Sequence, residues 1–272
     1  MKRLLTVQDL SCVGKCSLTV ALPVISAMGV EAAVLPTALL STHTAFPSPF
    51  VHDLSGDIGA IADHWTQIGA SFDGICSGYL ASCDQVMQVL SLAELFPGFL
   101  LVDPVMGDNG RLYYRITSEF IEKMAQLCAR ADAIVPNLTE ACFLTGTPYP
   151  ECYDEAFVQG LLKKLTGLGC RMAAVTGVSF QDDTVGVMGY DARQNAFCHY
   201  AHKKLPESYH GTGDIFTAVC AGSLVQDPSW DTALKRAADF VLLCMEETIK
   251  ENRDKRYGVC FEKALPKLMS FN

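Results

Sequence analysis

Short apolar runs alternate with longer segments of helical period over most of the chain, and this alternation constrains the fold more than any other feature. In the segment Gln85–Leu95, for example, Val86 and Val89 fall on one side of a helix. Continuous apolar strands that alternate with helices predict an α/β fold, with a mainly parallel sheet and helices on both of its faces. The predicted strands are Leu4–Gln8, Ala32–Pro36, Gly74–Ser77, Phe99–Asp103, Ala133–Pro136 and Met172–Thr176, and the predicted helices include Ile58–Ile68, Gln85–Leu95, Glu119–Ala129 and Asp154–Leu168.

The pattern changes in the C-terminal half of the chain. Two alternating runs, Thr184–Tyr190 and Ala196–Lys203, predict an antiparallel hairpin around the turn Asp191–Asn195. Beyond the hairpin the chain returns twice to helical period. The second of these helices is predicted from Trp230 to about Asn252, and the chain enters it through Asp227-Pro228-Ser229.

Nothing in the sequence marks a boundary between domains. The chain has no Ser/Gly-rich linker, no internal repeat and no low-complexity tract, so we expect one domain over residues 1–272. Within the first helical segment, Ser17–Met28, Pro23 predicts a kink or a restart of the helix.

Charge and cysteine content exclude several classes of protein. The net charge is −9 and no run of lysine or arginine is present, which argues against nucleic acid or an acidic membrane surface as a partner. No uncharged apolar run reaches 18 residues, so we expect no membrane span. The 12 cysteines contain no Cys-x-x-Cys pair, which indicates a reducing compartment and a cytoplasmic protein.

Polar residues or glycines follow each of the six predicted strands. In an open α/β sheet the ligand lies outside the carboxyl ends of the strands, so these segments are expected to meet at one binding crevice. The segments are Gln8–Gly14, Thr37 with Ser41–Thr44, Ser77–Tyr79, Asp103–Asp108, Pro136–Glu140 and Thr176–Gly177.

The segment HisGlyThrGlyAsp, residues 210–214, precedes an apolar helix. Gly211 and Gly213 allow a ligand to approach the backbone, and the first amides of a helix bind anions. A carboxylate beside an anion site is electrostatically unfavourable unless it accepts a proton from a hydroxyl that attacks a phosphoryl group. Asp214 is therefore a candidate general base, with a plain helix N-cap as the alternative.

Two further carboxylates at strand ends, Asp103 and Glu140, suit Mg²⁺ bound mainly by water and phosphate oxygens. The alternative for Glu140 is a capping box, because Asn137 stands three residues before it. The chain lacks the Walker pattern Gly-x4-Gly-Lys-[Ser/Thr] and lacks Gly-x-Gly-x-x-Gly after its first strand.

Five segments that end or follow predicted elements form a distinctive set. They are ProThrAlaLeuLeuSerThrHisThr (36–44), SerGlyTyrLeuAlaSer (77–82), AspProValMetGlyAsp (103–108), ProAsnLeuThrGluAla (136–141) and GlyThrGlyAspIlePhe (211–216). Together these segments resemble the pyridoxal/pyridoxamine kinase group of the ribokinase-like superfamily, and they occur in family order across nearly the whole chain. The resemblance implies a three-layer α/β sandwich and phosphorylation of the 5'-hydroxymethyl group of a vitamin B6 vitamer by ATP and Mg²⁺.

The resemblance also implies a role for each matched residue. Asp214 would be the catalytic base, and the amides of Gly211, Thr212 and Gly213 the anion hole. On the Mg·ATP side, the metal is expected at Asp103 and Glu140, and the nucleotide at Asn137 and Thr176. The residues expected in the pyridine pocket are Asp9, Thr37, His43 and Tyr79. The loop 41–56 would cover the site. The family resemblance further implies a homodimer and leaves a need for a monovalent cation open.

Asp9 departs from the family pattern, which has serine at this position. Its carboxylate would pair with a cationic ring or amine and favour pyridoxamine or another aminomethyl heterocycle over the aldehyde. Cys12 and Cys16 would line the same pocket, although buried structural cysteine is the more common role. Two alternative functions remain: a hydroxymethylpyrimidine kinase, and a ligand-binding relative without catalysis.

Overall fold

The computed structural model describes residues 1–207, 209–227, 229–251 and 253–269. Nine of its strands form one sheet, and two short strands form a separate hairpin. The strands are β1 Arg3–Val13, β2 Glu31–Thr42, β3 Val51–Asp53, β4 Gly74–Ser77, β5 Phe99–Val102, β6 Gly107–Asp108, β7 Arg111–Leu112, β8 Ala133–Ile134, β9 Met172–Val178, β10 Thr184–Asp191 and β11 Ala196–Lys203.

The order across the large sheet is β11-β10-β9-β8-β5-β4-β1-β2-β3. The neighbours from β9 through β2 all run parallel, whereas β3, β10 and β11 pair antiparallel to their neighbours. The predicted mainly parallel sheet and the predicted C-terminal hairpin are therefore confirmed. β6 and β7 pair only with each other and carry the chain away from the end of β5.

Helices cover both faces of the sheet and give it three layers. Residues of β5 alternate between two cores: Leu100 and Val102 pack on one side, and Leu101 packs on the other. Helices α2–α6 build the first core, and α1, α7, α8 and α9 build the second. The helices are α1 Leu18–Ala27, α2 Ser55–Gln67, α3 Cys83–Leu95, α4 Ser118–Arg130, α5 Leu138–Thr145, α6 Glu155–Gly167, α7 Thr212–Gln226, α8 Trp230–Glu251 and α9 Leu265–Leu268.

Helix α1 runs through Pro23 as one continuous element, so the predicted restart does not occur. Its apolar face, which includes Val20, Val24 and Ile25, is fully buried against the second core. Packing of this face outweighs the hydrogen bond that proline cannot make. The predicted start and end of the last long helix include Pro228 and Asn252, which lie outside the described residues.

Strands β1 and β2 extend well past their predicted ends. They pair with each other as far as Val13 and Thr42, with a register shift between Gln8 and Leu10. Asp9 and Thr37 consequently lie inside strands, and not beyond the strand ends as predicted. Among the described residues, no helix is long and apolar enough to cross a membrane.

Candidate active site at the carboxyl edge of the sheet

The start of helix α7 exposes unpaired backbone amides at the carboxyl edge of the sheet. Gly211 is the N-cap, with a φ of 87° that favours glycine, and Thr212 and Gly213 begin the helix. A Cβ at Gly211 would lie 2.4 Å from the carbonyl oxygen of Lys15, so that only glycine fits there. Gly213 is exposed, and a Cβ there would meet no atom within 4 Å. The helix start is therefore open to an anion.

Asp214 is the third residue of α7 and does not cap the helix, so the N-cap alternative is wrong. Its side chain is half-buried. Burial raises the pKa of Asp214 to about 6; the nearby charge of Asp9 adds to this rise, and a hydrogen bond from the backbone N–H of Ser17 opposes it. A carboxylate with such a pKa is a suitable proton acceptor near neutral pH.

Asp9 is buried, and hydroxyl groups of the chain itself already contact both of its carboxylate oxygens. Ser17 Oγ donates to Oδ1 at 2.5 Å, and Ser11 Oγ donates to Oδ2 at 3.2 Å. Burial raises the pKa of Asp9 above its usual range. The carboxylate is thus held by β1 and by the residue that precedes α1.

Asp103 and Glu140 form a second acidic group beside α7. Thr217 Oγ1 donates to Asp103 Oδ2 at 2.7 Å, and the backbone N–H groups of Asn137 and Met106 donate to the Glu140 carboxylate at 2.8 and 2.9 Å. Burial and the charge of Glu140 raise the pKa of Asp103 well above its usual range. Burial also raises the pKa of Glu140, to about 7.

A divalent cation would relieve the repulsion between Asp103 and Glu140. Their oxygens already accept hydrogen bonds, which favours an ion that keeps water and phosphate oxygens as most of its ligands. Among the described residues, no group of three or more His, Cys, Asp or Glu side chains is placed to hold a metal. The donor set fits Mg²⁺ carried by a nucleotide and does not fit a structural metal site.

Asn137 makes the predicted capping box with Glu140 at the start of α5. Its Oδ1 accepts from the backbone N–H of Glu140 at 3.0 Å, and its Nδ2 donates to the carbonyl of Gly107 at 2.8 Å. Thr176 pairs with Asn137 across an isolated bridge. Asn137 and Thr176, the two residues expected near the nucleotide, are therefore neighbours. The side chain of Asn137 also connects α5 to the hairpin of β6 and β7.

The residues expected in the pyridine pocket lie around β1. Thr37 is fully buried and its carbonyl accepts from Gln85 Nε2 at 3.1 Å, whereas Tyr79 is half-buried. Burial raises the pKa of Tyr79, and the charge of Asp9 adds to this effect. Val7 pairs with Ser77 across β1 and β4, so Asp9 and Tyr79 each follow this pair by two residues and belong to the same corner of the site.

Both ring nitrogens of His43 have partners within the chain. Nε2 lies 2.6 Å from the carbonyl of Arg256, and Nδ1 accepts from the backbone N–H of Ala45 at 3.3 Å. The nitrogens are therefore engaged within the chain, and the ring packs against the rings of Phe46 and His210.

The two cysteines near the pocket differ from expectation. Cys12 is exposed, so the buried structural role is wrong for it. Cys16 is half-buried, and burial together with the charges of Asp9 and Asp214 raises the pKa of its thiol to about 12. Its thiol is consequently protonated at neutral pH and a weak nucleophile.

Sequence reasoning missed a C-terminal clasp, residues 255–259, that closes over the loop between β1 and α1. The carbonyl of Tyr257 accepts from the backbone N–H of Lys15 at 3.2 Å, and the N–H of Val259 donates to the carbonyl of His210 at 3.2 Å. The ring of Tyr257 also packs edge-on against Phe46, with 5.3 Å between centroids. The only sequence signal is Gly258, whose φ of 78° and close approach to Lys15 favour glycine.

Comparisons with known proteins agree with this geometry. A crystal structure of pyridoxal kinase from Lactobacillus plantarum is 36% identical, covers 100% of this chain and 98% of its own, and has a TM-score of 0.93. A phosphomethylpyrimidine kinase-like protein from Bacteroides thetaiotaomicron, solved with pyridoxal, is 37% identical over 98% of this chain and 95% of its own, with a TM-score of 0.93. The pyridoxine/pyridoxal/pyridoxamine kinase of Bordetella avium is 28% identical over 87% of this chain and 82% of its own length.

The three-layer fold, with carboxylates and open helix amides at one edge of its sheet, defines a ribokinase-like small-molecule kinase. Within that class the chain belongs to the phosphomethylpyrimidine kinase family, whose sequence profile matches residues 21–258. Its homologues and structural neighbours include pyridoxal kinases, so the resemblance inferred from the five segments is confirmed.

Proposed function

We propose that this protein transfers the γ-phosphoryl group of ATP to the 5'-hydroxymethyl group of a B6 vitamer: pyridoxal, pyridoxamine or pyridoxine. The observation that carries the proposal is the position of Asp214, whose raised pKa suits a base, beside open amides at the start of α7. The pyridoxal kinase of Lactobacillus plantarum and the pyridoxal complex from Bacteroides thetaiotaomicron support the choice of substrate.

In the proposed reaction, the carboxylate of Asp214 accepts the proton of the substrate hydroxyl. The hydroxyl oxygen forms a bond to the γ-phosphorus as the bond to the bridging β,γ-oxygen breaks, and ADP leaves. The backbone amides of Gly211, Thr212 and Gly213 stabilise the negative charge on the phosphoryl oxygens. Mg²⁺ supplies further neutralisation of the phosphates when it is bound.

The remaining site residues divide into two groups. Asp103 and Glu140 would hold Mg²⁺ through water, and Thr176 would lie beside the nucleotide phosphates, where Asn137 supports the backbone. The vitamer lies beside Tyr79 and His43, and the buried Thr37 and Asp9 support this side of the pocket from behind.

A second candidate function is phosphorylation of a hydroxymethylpyrimidine. The match of residues 21–258 to the phosphomethylpyrimidine kinase profile favours it, and the chemistry at Asp214 would be the same. A ligand-binding relative without catalysis is disfavoured, because binding alone has no use for a carboxylate beside an anion site.

Turnover of ATP and Mg²⁺ with pyridoxal, pyridoxamine, pyridoxine and hydroxymethylpyrimidine tests the proposal. We expect the B6 vitamers to have the higher kcat/KM, and Asp214→Asn to abolish phosphoryl transfer while calorimetry still detects vitamer binding. The control is Asp57→Asn, which changes an exposed aspartate on α2. Full activity of Asp214→Asn would reject the base, and a preference for the pyrimidine would reject the vitamer.

We also propose a cytoplasmic homodimer. All twelve cysteines are free, which supports a reducing compartment, and the family resemblance supports the dimer. Light scattering coupled to size-exclusion chromatography tests the dimer, and a mass near the 29.5 kDa of one chain would reject it.

A further inference from the structure

Ser17, the residue before α1, has a backbone conformation that is unusual for any residue except glycine. Its φ is 48° and its ψ is −128°, and it is only 4% exposed. An L-residue is strained in this region, and strain of this kind persists where the surroundings enforce it, often at functional sites. The carbonyl of Ser17 accepts from Val20 and Ala21 and so fixes the start of α1.

Two contacts connect Ser17 to the two acidic residues of the site. Its hydroxyl donates to Asp9 Oδ1 at 2.5 Å, which is a short, charge-assisted hydrogen bond. Its backbone N–H faces the carboxylate of Asp214 and opposes the rise in the pKa of that group. Ser17 therefore joins a buried carboxylate on β1 to the carboxylate that we propose as the base on α7.

We propose that Asp9 and Ser17 form a positioning pair for Asp214. Asp9 binds the Ser17 hydroxyl and holds Ser17 in its strained conformation, and this conformation directs the Ser17 N–H towards the Asp214 carboxylate. The N–H fixes the carboxylate in the orientation that accepts the substrate proton. This inference rests on the proposed function and gives Asp9 a role different from direct pairing with a cationic vitamer.

The chemistry of Asp9 supports this assignment over substrate binding. Both of its oxygens are already engaged by Ser17 and Ser11, and it is only 5% exposed. A carboxylate that binds substrate directly needs a free oxygen at the pocket surface. A carboxylate that restrains a neighbouring loop needs the arrangement seen here.

Steady-state kinetics of paired variants tests the proposal, with kcat and KM measured for the vitamer. Asp9→Ala and Ser17→Ala are each expected to lower kcat about tenfold, as expected when one charge-assisted hydrogen bond no longer orients the base. KM for the vitamer is expected to stay within about twofold, since neither residue contacts the substrate. Asp9→Asn should recover most of the kcat, because the amide oxygen still accepts from the Ser17 hydroxyl.

The decisive comparison uses Ser17→Gly as a second background. Glycine adopts this backbone conformation without a tether, so Ser17→Gly should have a higher kcat than Ser17→Ala. In that background the addition of Asp9→Ala should lower kcat by less than about twofold, because the two substitutions act on the same element. A matched control is Asp227→Ala, which removes the exposed carboxylate that accepts from the backbone N–H of Ser229 before α8 and should leave kcat unchanged.

Each alternative outcome has a separate meaning. An equal loss from Asp9→Ala in both backgrounds, or a change in KM or in the vitamer ratio in place of kcat, would overturn the positioning pair. Absence of vitamer phosphorylation by the wild-type protein would instead overturn the proposed function. If circular dichroism shows that Asp9→Ala does not fold, Asp9→Ser takes its place, since serine is too short to reach the Ser17 hydroxyl.

Discussion

The hydroxyl of Thr217 donates a 2.7 Å hydrogen bond to the buried carboxylate of Asp103. Thr217 lies on α7, one turn beyond Asp214, and Asp103 directly follows β5. This bond connects the helix that carries the proposed base to the carboxylate proposed to hold Mg²⁺. A displacement of α7 therefore also displaces the Asp103 carboxylate.

Removal of this bond is expected to weaken both the fold and the metal site. Thr217→Val keeps the side-chain shape but leaves the buried Asp103 carboxylate with one donor fewer, which lowers the free energy of unfolding by about 1–3 kcal/mol. We also expect a higher Mg²⁺ concentration for half-maximal activity. Urea unfolding and Mg²⁺ titration measure the two effects.

The control for Thr217→Val is Thr66→Val on α2, where the hydroxyl bonds only to the helix carbonyl of Ala62. This variant is expected to change neither quantity by a comparable amount. An unchanged Mg²⁺ requirement in Thr217→Val would contradict the link between α7 and the metal site.

The two glycines at the start of α7 are expected to respond differently to alanine. Gly211→Ala brings a Cβ against the Lys15 carbonyl at a positive φ, and we expect a loss of more than about 1 kcal/mol in the free energy of unfolding. Gly213→Ala has room for its methyl group and gains helix propensity, so stability is kept.

Activity is expected to fall in both glycine variants, but for different reasons. The Cβ of a helical residue tilts towards the helix N-terminus, so the methyl group of Gly213→Ala points to the proposed phosphoryl site. Thermal unfolding with kcat/KM for each variant separates the cases. Full activity of a stable Gly213→Ala protein would argue against phosphate binding at these amides.

The pKa of Asp214 predicts the pH dependence of the reaction. The base must be deprotonated, and its pKa is about 6, so kcat/KM should fall about tenfold per pH unit below pH 6 and level off above it. The charge of Asp9 adds to the effect of burial on the pKa of Asp214, and the charge of Asp214 in turn raises the pKa of Asp103. A pH profile of kcat/KM at saturating Mg²⁺ measures this fall at acidic pH.

Melting temperatures over the same pH range show whether the loss of rate below pH 6 reflects unfolding. A profile that stays flat from pH 7 down to pH 5, in a protein that remains folded, would exclude Asp214 as the base.

Glu140→Gln is expected to break the hydrogen bonds around α5. One of the backbone donors, Asn137 or Met106, would face the amide nitrogen of glutamine in place of an oxygen. We expect the free energy of unfolding to fall by about 2 kcal/mol. Chemical denaturation measures it.

Asp154→Asn at the exposed start of α6 is the matched control for Glu140→Gln, because asparagine caps a helix as well as aspartate does. It should leave stability nearly unchanged. Equal stability of Glu140→Gln and wild type would mean that the capping box contributes little.

The hydrophobic period predicts the core of each element because burial is what selects those residues. It does not predict the ends of β1 and β2, since Gln8, Asp9 and Ser11 are polar and resemble a strand end. Their polar groups are instead satisfied inside the protein, by Thr6 for Gln8 and by Ser17 for Asp9. Such partners follow from the fold and leave no periodic signal.

The motifs at the strand ends predicted the residues around Asp214, but not the C-terminal clasp. The contacts of the clasp with His43 and Lys15 use the backbone carbonyls of Arg256 and Tyr257. Every residue type has such a carbonyl, so its partner cannot be read from the side chains. The positioning role that we propose for Asp9 could not be predicted for a related reason, because the strain at Ser17 is a backbone property.

The clasp has a consequence for how the protein is made in the cell. Lys15 is synthesised early and Asp214 much later, yet the Tyr257 carbonyl that the Lys15 amide binds follows both of them and the whole of α8. A nascent chain can therefore pair β1 with its neighbours on the ribosome while the β1–α1 loop still lacks this partner. The crevice therefore matures only after α8 and Tyr257 have been synthesised, and a ribosome-bound chain stalled before Tyr257 would hold a sheet but an unfinished site.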